Sequence, residues 1–273
     1  MKANIEKKKL FLFFSIICLF LFNGCGLEDY IYIYPPQVIN HIPTYETANA
    51  DRYFIFQTNE KEQPEQFQGT AIYYKIYNKH STMESRASSI TSLISSTNES
   101  ASAVKMIDTY GYKQLNLSSG LESPLIPKSS DKSSQKVYIR LTNYFEEENP
   151  QYNKSIVLIG QKNIDDFQKG TFDDVDKWEP RRNFGGNKYT FDFGRGKNSS
   201  YENYEFSVVP DNDDEDVEYS DSEDTDLTSV NPEDEWYVDL FAVGVGEDEN
   251  FTQYYSSVLH LGSVAIDASS ENN

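Results

Sequence analysis

The chain has 273 residues and a formal net charge of −20, from 44 Asp and Glu against 24 Lys and Arg. That balance excludes nucleic acid as a partner, because phosphate neutralisation needs a basic surface and no basic run occurs beyond the first nine residues. It also opposes docking on bare anionic lipid, while the length suffices for one large domain with a substantial core.

The first stretch in chain order sets the address. Behind Lys2, Lys7, Lys8 and Lys9 runs an apolar block from Leu10 to Phe22, followed by Asn23, the small residue Gly24 and then Cys25. As a helix this block would reach about 20 Å at 1.5 Å per residue, short of the roughly 30 Å core of a bilayer. A basic start, an apolar block, a small residue and a cysteine form the order of a bacterial lipoprotein signal. With Phe22 and Asn23 in place of the commoner residues, this version resembles the lipoboxes of spirochaetal, treponemal-like lipoproteins. The resemblance implies cleavage after residue 24, lipid on Cys25 and residence on a membrane. Gly26 is not an inner-membrane retention aspartate, so the outer membrane is the expected location.

Residues 1–24 carry four Lys and one Glu, so a chain beginning at Cys25 holds 249 residues and a charge of −23. Cys18 leaves with the signal and Cys25 is acylated, which excludes disulfides, Cys-ligated zinc and a thiol nucleophile. Residues 25–45 are expected to form the lipidated N-terminus and tether, and residues 46–273 one domain.

Within the tether, Tyr30-Ile31-Tyr32-Ile33-Tyr34 alternates strictly, which predicts a first strand or strand-like tether. Its rings would also suit a headgroup-level aromatic belt. Arg52 to Gln57 and Gly69 to Tyr77 are β-branched and aromatic, are bounded by turn residues, and read as two strands paired with each other.

From 81 to 110 the pattern changes. Met83, Ala87, Ile90 and Ile94 recur at helical spacing, followed by Val104, Ile107 and Tyr110, with a break near Thr97-Asn98 and a stop at Gly111. This predicts a helical insertion at about 82–110 whose apolar face covers one edge or end of a sheet. A Ser-, Thr- and Pro-containing loop follows at 118–135. Strand signals return at 136–141, 155–159, 188–193 and 204–209.

In 211–226 ten of sixteen residues are acidic and none is basic. Such a segment repels itself and has little to bury, so 211–235 reads as a disordered acidic loop. Asp211, Asp213, Glu215, Asp216 and 221–226 offer oxygen ligands for Ca²⁺, yet no glycine-turned loop lies among them, and the reading assigns no metal site. The C-terminal runs 236–246 and 254–266 form the strongest hairpin signal. Val238, Leu240 and Ala242 share one face and Tyr237, Asp239 and Phe241 the other.

Leu227, Pro232 and Trp236-x-Val238-x-Leu240-x-Ala242-Val243 resemble the fibronectin type III pattern leading into the penultimate strand. Gly69 to Tyr77 is similar to that fold's third strand, and Ser256-Ser257-Val258 stands where its last strand begins. The resemblance implies a fibronectin- or immunoglobulin-like fold. The expected class is therefore mainly β, an antiparallel β-sandwich with a helical insertion.

No nucleophile elbow, Walker loop or zinc-protease motif occurs. Gly194-Arg195-Gly196 and Gly244-Val245-Gly246 each lack the third glycine of a dinucleotide loop and read as turns beside strands. His41, His80 and His260 are far apart in sequence, and no motif selects a carboxylate pair for glycoside hydrolysis. No catalytic residue, cofactor or metal is assigned, and the one site residue is the lipid-bearing Cys25. The leading expectation is a non-enzymatic lipoprotein displaying a β-sandwich for a structural or protein-binding role. The alternative is a glycan- or ligand-binding sandwich, with a hydrolase third.

Overall fold

Rings and β-branched side chains favour an extended backbone half-buried on a pleated surface, and such residues are concentrated at 54–57, 67–77, 136–140, 156–160 and 236–266. The computed structural model describes residues 31–48, 51–117, 124–141, 155–160, 175–178, 180–184, 187–190, 224–226, 228, 233 and 236–266. Contacts divide the chain into Met1–Ile31 and Tyr32–Asn273, and the fold below is that of the second unit. Cys25, Asp211 to Glu223 and the strand expected at 204–209 lie outside the described residues.

Two sheets face each other. The first has the order β1 (Gln37–Val38), β2 (Phe54–Gln57), β7 (Lys136–Arg140), β8 (Ile156–Gly160) and β9 (Val175–Trp178), antiparallel throughout. The second is built on β3 (Phe67–Tyr77) and β13 (Trp236–Glu247), which run antiparallel with Tyr237 opposite Tyr77 and Ala242 opposite Ile72. On its other side β13 pairs with β14 (Gln253–Tyr255) and β15 (Leu259–Ile266), the expected hairpin. A smaller sheet joins β5 (Asn116–Leu117), β10 (Pro180–Phe184) and β11 (Asn187–Thr190).

The free edge of β3 is covered in pieces. β6 (Ile126–Pro127) pairs at Gly69 and Thr70, β4 (Lys113–Gln114) at Tyr73 and Tyr74, and β12 (Thr225–Asp226) at Ile76 and Tyr77, the last in parallel. Between them the amide of Leu115 donates to the carbonyl of Ile72.

Period two sorts the side chains. Ile72, Tyr74 and Ile76 of β3 and Val238, Leu240 and Ala242 of β13 meet Phe54, Phe56, Val137, Ile139, Val157 and Ile159 of the first sheet, which makes an antiparallel sandwich. The opposite face carries Tyr73, Tyr77, Tyr237, Phe241 and Val243 against Met83, Ala87 and Ile90 of α1 (His80–Thr91), Ala103 of α2 (Ala101–Val104) and Met106 in the π-helical turn Lys105–Thr109. Gly111, at φ +65°, ends the insertion, as its position predicted.

Three expectations need correction. The runs at 52–57 and 69–77 do not pair with each other; β2 and β3 lie in different sheets, so the polar loop between them is a crossing rather than a hairpin. The helical insertion covers a face of the second sheet rather than an edge or end, because β3 and β13 turn rings outward on the side away from the first sheet. Ile94 and Val104, read as part of the apolar stripe, are exposed, since α1 stops at Thr91.

The tether is docked rather than paired. Ile33 is 2% exposed, and the side-chain amide of Gln63 grips Tyr34 from both sides, accepting from its N–H at 3.0 Å and donating to its carbonyl at 2.8 Å. Gly244 and Gly246, read from the sequence as a turn, lie inside β13 and form the seat for Ile33. A Cβ on Gly244 would stand 2.8 Å from Ile33 Cγ2, and one on Gly246 2.6 Å from Ile33 Cδ1.

Gly246→Ala should therefore cost about 1–3 kcal/mol by overpacking, and adding Ile33→Ala should return part of that loss. Urea unfolding of the single and double variants checks this, strict additivity being the contrary result.

Candidate functional site

Asp239 falls on the ring-bearing face of β13 by simple alternation, and its side chain is fully buried. A carboxylate there is costly unless it is paired and hydrogen-bonded. Two groups meet it: the phenol of Tyr112 donates to Oδ2 at 2.6 Å, and Nε2 of His260 lies 2.6 Å from Oδ1. Tyr77 extends the chain by donating to the Tyr112 oxygen at 3.0 Å. The His260 ring stacks on Phe241 at 4.6 Å.

A register shift brings His260 to this face. Leu240 is opposite Gly262 while Phe241 is opposite His260, so Leu261 is the extra residue of a β-bulge. In an unbroken register His260 would oppose Ala242 and face the first sheet; the bulge turns it toward Asp239 and sends Leu261 into the inter-sheet core. Gly262 permits this at φ +110°, where a Cβ would strike the Pro43 carbonyl at 2.3 Å.

Burial alone would lower the pKa of His260, but the charge of Asp239 and the bond to it prevail and raise it. Burial, reinforced by Asp239, pushes the phenols of Tyr112 and Tyr77 well above their ordinary value. The tyrosines therefore stay protonated and act as donors.

A second histidine sits near the start of β13. Oε2 of Glu233 receives the backbone N–H of His80 at 3.2 Å and the Tyr237 phenol at 2.7 Å, and lies 2.8 Å from His80 Nδ1. His80 is the first residue of α1, so Glu233 supplies, from far along the chain, the anionic cap that the helix start lacks locally. Partial burial would raise the Glu233 pKa, but the bonds from Tyr237 and His80 outweigh it and the net shift is downward. The Tyr45 ring stacks on His80 at 4.7 Å. His41 belongs to the other sheet, stacked on Tyr53 at 3.9 Å with Nε2 bonded to the Asp51 carbonyl.

The three histidines are thus not brought together, and no group of three His, Cys, Asp or Glu forms among the described residues. No serine, threonine or cysteine side chain is bonded to the His260 or His80 ring among them. The geometry suits charge neutralisation and orientation inside a core.

The acidic loop is corrected at its end. Asp224 is fully buried, accepts the Tyr74 phenol at 2.7 Å through Oδ2 and takes the Ile76 N–H on its carbonyl. Together with β12 and Glu233, this makes the last part of the segment an ordered component of the second sheet. Composition hides the arrangement, because the partners are about 150 residues away.

No protein-family model, curated protein or solved structure matches the chain.

Because the folded pKa of His260 lies above the unfolded value of about 6.5, its contribution is complete below that pH and is lost as pH rises through the raised value. Urea midpoints should fall along that limb, and His260→Gln should flatten the fall. His260→Ala, which strips a buried carboxylate of its cation, should cost about 3 kcal/mol. A pH profile unchanged by His260→Gln would remove the ion pair from the account.

Proposed function

We propose that the protein is a lipid-anchored envelope protein that holds a β-sandwich at a membrane surface for a structural or protein-binding role. The observation that carries this reading is the order of residues 2–25: four lysines, the apolar block, Gly24 and Cys25. The location after Gly26 is the outer membrane. Among the described residues no helix is long and apolar enough to cross a bilayer, and lipid on Cys25 supplies attachment without one.

The sandwich supports the second half of the reading. Both faces of its central strand are filled by the protein's own side chains, and its buried acids are engaged by tyrosine and histidine. The adjacency of β3, β13 and β15, the stretches similar to the third, penultimate and last strands of a fibronectin type III domain, is in keeping with a fibronectin-like display module. Seven residues separate Cys25 from Tyr32, a reach of at most about 25 Å. The module consequently works close to the bilayer rather than on a long stalk.

Cys25→Ala should retain residues 1–24 and lose fatty-acid labelling and lipid-dependent detergent partition. Mass spectrometry and metabolic labelling read both effects, and normal processing of that variant would sink the proposal.

A further inference from the structure

The turn joining β13 to β14 presents a large ring to water at a position that ordinarily belongs to glycine. Asp248 organises the turn: Oδ1 accepts the amides of Asn250 at 2.8 Å and Thr252 at 2.9 Å, and its carbonyl accepts the amide of Phe251 at 3.1 Å. Phe251 then takes φ +63° and is 81% exposed. In hairpin turns of this kind the left-handed position favours glycine, and a bulky residue there is a genuine outlier. An exposed ring gains no packing to offset that strain. Retention of phenylalanine at such a point indicates a contact made outside the chain.

The path of the tether shows what lies on that side. The Tyr34 carbonyl lies against Gly244, and the far end of the Ile33 side chain against Gly246. Followed toward Cys25, the chain therefore runs in the direction of the 248–252 turn, which begins two residues beyond Gly246. Tyr32 and Tyr34, in edge contact at 4.5 Å, lie along this path. Tyr45 and Glu46 belong to the opposite end of β13, where the Tyr45 ring meets Tyr237.

We infer that the turn at 248–252, led by Phe251, rests in the same lipid surface that holds Cys25, so that the sandwich stands end-on with β13 pointing into the membrane. This rests on the lipoprotein reading given above. An aromatic ring at headgroup depth is a favourable placement. Glu247, Asp248 and Glu249 beside it limit the insertion to the interface and select a zwitterionic surface over an anionic one. The lipid and Phe251 then make two attachments, and two are needed for a stable orientation as well as for stable anchoring.

The test uses the full lipidated protein in phosphatidylcholine vesicles. Asn250→Cys, carrying an environment-sensitive dye, reports the depth of the turn through quenching by spin-labelled lipid, and Glu46→Cys reports the far end. Strong quenching at 250, absent at 46 and lost when Phe251→Ser is added, is the expected result. Protein that floats with the vesicles yet quenches no more at 250 than at 46 would overturn the docking of the turn and leave the anchor standing. Protein that does not float would overturn both. Phe251→Gly should melt no lower than the parent; a lower melting temperature would show that the ring serves the turn itself, against the inference.

Discussion

Strand β13 has neither face free for water, and the constraint this places on its sequence organises the molecule. From Tyr237 to Gly246 every residue is buried, so each side chain must be apolar, absent, or matched. Val238, Leu240 and Ala242 answer to the first sheet, and Tyr237, Phe241 and Val243 answer to the helical layer. Gly244 and Gly246 answer to Ile33. Asp239 is the exception, and the bulge at Leu261 exists in the register that gives it a cation. A buried carboxylate left with one phenol would be strongly destabilising; with His260 and Tyr112 both present it becomes a point that accepts only one strand register.

Long-range polar contacts repeat this logic elsewhere. Tyr74 with Asp224 and His80 with Glu233 join residues about 150 positions apart, and each ties the segment before β13 to the β3–α1 unit. The helical layer depends on the second of these, because α1 begins under Glu233 and has no side-chain cap of its own. The acidic segment is thus part electrostatic burden and part structural fastening.

How far the sequence is legible follows from which interactions are local. The two faces of β13 were readable because alternation is a property of the strand itself, and Met83, Ala87 and Ile90 were readable because helical spacing is too. The segregation of β2 and β3 into different sheets was not, since an apolar run carries no mark of its partner. The seat at Gly244 and Gly246 looked like a turn because the residue that fills it lies more than two hundred positions earlier. His260 was placed on no site for a similar reason: one bulged residue reverses the face it occupies, and nothing in its neighbours announces the bulge except Gly262. Val175–Trp178 and Pro180–Phe184 gave no strand signal, being polar and charged.

The piecewise covering of β3 has a consequence for a protein of this kind. An eleven-residue strand with one bare edge is a template on which another chain can add, and the danger grows when molecules are confined to two dimensions. Here β6, β4 and β12 each occupy two positions of that edge, with Leu115 between them, and β12 adds an acidic residue at Asp226. An incoming strand would have to displace three separate short segments to find a continuous row of donors and acceptors. Copies crowded side by side on a lipid surface would thereby be kept from zipping into one another's sheets.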